Sequence, residues 1–112
     1  MTFLSQRLGR AGAAKVGTLG VLALATLVAV GIGVHNLGEG LAVGSSFALG
    51  ELTLGTFLIV GFMVHNVTEG LGIAAPAAEG EPPGLVRLTA LVLVAGAPTI
   101  FGAWIGGRGD WG

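Results

Sequence analysis

The chain has 112 residues, a net charge of −1 and no cysteine. Its length allows one small domain at most, and its charge offers nothing to a nucleic-acid backbone. The missing cysteines exclude disulfides, thiolate metal sites and iron–sulfur clusters. With 53% hydrophobic and 10% charged residues, the composition is that of a membrane protein.

Residues 1–15 carry Arg7, Arg10 and Lys15. A signal peptide with its cleavage site at Ala23-Leu24-Ala25 is one reading of this start. The apolar run continues well beyond that point, so a basic cytoplasmic flank is the preferred reading. Three apolar spans follow, over about 16–49, 52–76 and 85–106, with a tail at 107–112. Each exceeds the roughly 20 residues a helix needs to cross a bilayer. The first is long enough to require tilt, a break or an extension beyond the lipid. Backbone groups in lipid must be paired within their segment, which makes helices of all three. The expected fold is therefore all-α and polytopic.

Gly50-Glu51 is a tight connection, so the first two spans should form an antiparallel hairpin. AAEGEPPG at 77–84 reads as a loop, because Pro82 and Pro83 cannot continue a helix. The basic flank and Arg87 set the amino terminus and this loop on the cytoplasmic side, and Glu51 and Arg108 on the other, in what should be the cell membrane. Gly40–Gly44 and Gly102–Gly106 are small-xxx-small pairs, read as ordinary close packing rather than as a dimer motif. The glycine-rich face from Gly31 to Gly44 should need a partner.

Inside the first two spans the sequence repeats itself: VHNLGEGL at 34–41 and VHNVTEGL at 64–71 agree at six of eight positions. His35 and Glu39 are four apart, as are His65 and Glu69, and such pairs share a helix face. Asn36 and Asn66 lie one residue on, near the same stripe. Both histidines stand at a similar distance from Glu51, roughly 21–24 Å below the turn at 1.5 Å per residue. One shared site is expected rather than two.

Two buried carboxylates placed together repel unless a proton or a cation intervenes. No Lys or Arg lies between Lys15 and Arg87 to neutralise them. Ionisable residues at membrane depth are expensive and usually functional. Taken singly, a histidine in an apolar helix is more often a hydrogen-bonded core residue than a ligand. Doubling the motif reverses that balance, and a proton relay without metal is the strongest competing reading. Imidazole, carboxylate and amide oxygen suit Zn²⁺, Fe²⁺ or Mn²⁺ better than Cu⁺. Glycines at 38, 40 and 70 either loosen the helices to free carbonyls or permit close packing.

These paired H-N-x-x-E-G segments resemble the fourth and fifth transmembrane helices of the ZIP (Zrt/Irt-like) metal transporters, particularly the GufA-like branch. The similarity is specific over about 31–76 and loose elsewhere. It implies transport of Zn²⁺ and related divalent ions, iron, manganese or cadmium among them, into the cytoplasm by an eight-helix protein, and no enzymatic activity. It also implies that His35, Glu39, His65 and Glu69 hold one ion, with Asn36, Glu39, Asn66 and Glu69 forming a neighbouring position bridged by the glutamates.

Three departures from the family stand out. Only three spans are present, as in a fragment of a longer chain whose remaining helices, or further copies, would complete the path. Such a chain should bind an ion without carrying it alone. Gly38 and Thr68 occupy positions where many relatives have proline. Ala97 stands before Pro98 where many have glutamate, which puts the second ion position in question. The alternatives are an intramembrane metal hydrolase, disfavoured by the absence of H-E-x-x-H and of a nucleophile on the motif face, and a metal-binding membrane fragment that transports nothing.

Overall fold

A computed structural model describes residues 2–78 and 83–110 of the chain. The fold is all-α, in the order α1 (Phe3–Ala48), α2 (Leu52–Ala78) and α3 (Leu85–Arg108). All three helices are long and apolar enough to cross a membrane. Large apolar side chains such as Leu27, Val34, Phe57, Val64 and Ile100 face outward, as a protein solvated by lipid tails requires.

α1 has 46 residues without a break, roughly 69 Å at 1.5 Å per residue. The molecule's longest dimension is 74 Å. Of the three options open to the first span, a break is the one the continuous helix excludes. The basic flank is the first part of α1, started by Thr2, whose hydroxyl accepts from the Ser5 amide. Upstream of about residue 19, α1 runs past the other helices with almost all its described side chains exposed.

The α1–α2 turn is built by Gly50, which has φ +79°. Its amide donates to the Phe47 carbonyl, and the Glu51 amide donates to the Ser46 carbonyl. This pair of bonds is the Schellman closure of a helix end, and the left-handed φ makes glycine the natural occupant. Gly55 then leaves room for the Phe47 ring. α2 extends two residues beyond the expected span, to Ala78. Of the expected 77–84 loop, residues 79–82 lie outside the described residues. α3 begins at the expected Leu85 and runs on through Gly107 and Arg108, the first residues of the expected tail.

α1 packs most extensively against α3, and less against α2. Gly33, Gly40 and Gly44 of α1 meet the backbone around Val94, Thr99 and Ala103, so the two helices run parallel. Gly102 and Gly106 of α3 lie against the backbone of Leu37 and Leu41 in return. Both small-xxx-small pairs thus face each other within one chain, and ordinary packing is the correct reading. Gly33, Gly40 and Gly44 of the glycine-rich face expected to need a partner are covered by α3, whereas Gly31 and Gly38 stay open. Pro98 lies inside α3 and cannot supply an amide to the Val94 carbonyl. A Cβ at Gly33 would run into that same carbonyl. A small core of Ala25, Ala29, Ile73, Leu91 and Ala95 joins the three helices on one side of the repeated motifs.

Candidate metal centre

The antiparallel hairpin sets the two H-N-x-x-E motifs against each other, His35 opposite Glu69 and Glu39 opposite His65. One ligand atom from each of His35, Glu39, His65 and Glu69 lies within 4.8 Å of the other three. His35 Nε2 is 3.1 Å from Glu39 Oε1 and 3.8 Å from Glu69 Oε1. His65 Nε2 is 3.2 Å from Glu69 Oε1 and 3.8 Å from Glu39 Oε1. The distances repeat because the motifs repeat: each helix contributes one short contact of its own and one longer contact across the seam. The imidazole rings are 5.7 Å apart and inclined by 65°.

These separations can be compared with coordination chemistry. Zinc holds nitrogen and oxygen ligands at about 2.0–2.2 Å, and a tetrahedron of that size has edges of about 3.3–3.6 Å. The four nitrogen–oxygen distances straddle that value. An ion at the centre would also answer the repulsion between two carboxylates whose side chains are only 6% and 12% exposed.

The six motif residues divide between two sides of the carboxylate pair. The histidine side chains are half exposed, at 57% and 50%, on the face away from α3. Asn36 and Asn66 turn toward α3 and line a cleft of about 280 Å³ with Glu69, Gly70, Ala95 and Thr99. Asn36 is 3% exposed, and its Nδ2 donates to the Ala95 carbonyl at 2.8 Å. The asparagines therefore do not share the histidines' surroundings, as a common stripe had suggested. Gly40 permits close packing, since a Cβ there would strike the Thr99 carbonyl. Gly38 and Gly70 meet nothing within 4 Å, and α1 and α2 run unbroken through all three glycines.

Five buried side-chain oxygens find no hydrogen-bond partner among the described residues: Asn36 Oδ1, Asn66 Oδ1, Glu39 Oε2, Glu69 Oε2 and Thr99 Oγ1. Buried polar atoms are normally paired, so a group of unpaired acceptors calls for an explanation. Sequence reading missed Thr99 entirely. Its signal was the α3 face formed by Val92, Ala95, Gly96 and Thr99, visible only once the lining of the cleft is known. Ala97, by contrast, lines an apolar groove with Leu37, Leu93, Val94, Pro98 and Phe101.

Comparison with protein-family models, with curated proteins and with solved structures found no match to this chain.

Proposed function

We propose that this membrane chain binds divalent metal cations between α1 and α2 and serves in their passage across the bilayer, as its resemblance to the ZIP transporters implies. The observation that carries the reading is the convergence of two imidazoles and two carboxylates, from adjacent apolar helices, at separations suited to one ion. A mixed set of nitrogen and oxygen donors fits a transported substrate, which must be released as well as bound. Zn²⁺ is the first candidate, with Fe²⁺, Mn²⁺ and Cd²⁺ as related substrates.

The half-exposed histidines are costly in lipid, which favours cover from further helices of a longer transporter or from another copy of the chain. The excess of Arg7, Arg10 and Lys15 at one end supports an orientation with that end in the cytoplasm. The reading is of a carrier rather than a hydrolase. Each carboxylate has one oxygen within 3.8 Å of both imidazoles, which supports a ligating role for both.

Calorimetric titration of the purified chain in lipid bicelles with Zn²⁺ tests this. Binding abolished by Glu39→Ala supports the reading, and no binding by the wild-type chain overturns it. Liposomes loaded with a Zn²⁺-sensitive dye then address passage. Three helices cannot by themselves hide a polar path from lipid, so binding without flux is the expected result for this chain alone. Flux that Glu39→Ala removes would make these helices sufficient.

A further inference from the structure

We propose that the Thr99 hydroxyl is a cation ligand from α3, and that it makes the cleft side of the carboxylate pair an all-oxygen position for a harder divalent ion than the histidine side takes. The proposal rests on the reading of His35, Glu39, His65 and Glu69 as a cation site.

A threonine or serine within a helix usually returns its hydroxyl proton to the carbonyl one turn earlier. Thr26, Ser45, Ser46 and Thr56 do so here, to Leu22, Leu41, Ala42 and Leu52. The corresponding acceptor for Thr99 is the Ala95 carbonyl, and Asn36 Nδ2 takes it at 2.8 Å. That bond has two consequences. It leaves Thr99 Oγ1 buried without a partner. It also fixes the Asn36 amide, since reversing the group would set oxygen against oxygen and forfeit the bond, so Oδ1 is the atom left unpaired.

Asn36, Asn66, Glu69 and Thr99 line the same cleft, and each carries an unpartnered buried oxygen. Two amide oxygens, one hydroxyl and carboxylate oxygen make a donor set without nitrogen. Such sets suit hard cations such as Mn²⁺ or Mg²⁺, while imidazoles suit Zn²⁺ and its neighbours. The third-helix ligand expected by resemblance was the residue at 97. The cleft-facing side of α3 carries Thr99 instead, and Ala97 belongs to an apolar groove.

Two probes separate the positions in the full chain held in bicelles. Co²⁺ reports the histidine position through its visible absorption, and Mn²⁺ added to the Co²⁺-loaded chain reports the oxygen position through its paramagnetic resonance. Thr99→Val, nearly isosteric, should weaken Mn²⁺ binding about tenfold or more, in the range that supporting groups around a metal usually command. The Co²⁺ titration should stay unchanged, Thr99→Ser should restore Mn²⁺ affinity, and Ala97→Val should alter neither. Mn²⁺ affinity in Thr99→Val equal to wild type, or a Co²⁺-loaded wild-type chain that takes up no Mn²⁺, overturns the proposal. A wild-type chain with no Co²⁺ absorption instead overturns the histidine site on which it rests.

Discussion

α1 has two seams, and they are built from opposite materials. Against α3 it presents Gly33, Gly40 and Gly44, and backbone meets backbone with almost no side chain between. Against α2 it presents His35 and Glu39 to their counterparts His65 and Glu69. The first seam gains dispersion contacts through closeness, which is how helices associate in lipid. The second concentrates polar groups that lipid penalises. Close packing is thus carried mainly by one neighbour of α1 and the histidine–carboxylate cluster by the other, with Thr99 of α3 the point where the two seams meet.

The largest effect should come from filling the close seam. Gly40→Leu would drive a side chain into the Thr99 carbonyl and the Ala103 amide. Overpacking ordinarily costs about 1–3 kcal/mol, and backbone obstacles put this case at the upper end or beyond. Accessibility of a cysteine introduced on α3 should rise sharply in this variant, and native-like protection would show that the seam is not what holds α3.

Next in size is the polar seam. Glu69→Gln keeps the shape and removes the charge, and should weaken Zn²⁺ binding by more than about 100-fold, beyond what supporting residues typically contribute. Asn66→Ala, which removes a neutral oxygen on the cleft side, should cost Zn²⁺ less than about tenfold. Equal losses by calorimetry would erase the distinction between the two sides of the carboxylate pair.

Acidification should act on the polar seam alone. Ligands release protons when a metal binds, so affinity falls as pH falls. Between pH 7 and pH 5 the Zn²⁺ affinity should drop by roughly ten- to a hundredfold, while helix content by circular dichroism stays level. Equal affinity at the two pH values would argue against histidine ligation.

The smallest effect should be Gly38→Ala. Nothing lies within 4 Å of its Cβ position, and alanine favours a helix over glycine by up to about 1 kcal/mol. Metal affinity should be unchanged and thermal unfolding slightly later. A large loss would mean that Gly38 has a role the two seams do not explain.

The polar seam was legible in the sequence and the close seam was not. Repetition of the His and Glu positions, with a turn midway at Gly50-Glu51, sets the register of α1 on α2, because distance from a tight turn along two helices is arithmetic. Glycines carry no such information. Gly33, Gly40 and Gly44 announce that something approaches closely, but a residue without a side chain does not say what. Three spans crossing in turn already make α3 parallel to α1, but its docking rests on contacts between Gly33 and Val94 or Gly44 and Ala103, which no local pattern encodes. Thr99 was invisible for a related reason: its significance depends on Asn36 reaching across that seam to take the Ala95 carbonyl. The separation of asparagines from histidines follows from α3 as well, since the position one residue along a helix turns by about 100° and here that turn meets a neighbour.

The central claim is that His35, Glu39, His65 and Glu69 hold one divalent ion together. X-ray absorption at the zinc edge of the Zn²⁺-loaded chain in bicelles tests it most directly. The expected spectrum has nitrogen and oxygen neighbours at about 2.0–2.2 Å, with the outer-shell scattering of two imidazoles, reduced to one in His65→Ala. A spectrum of oxygen neighbours alone, unchanged by His65→Ala, would contradict it.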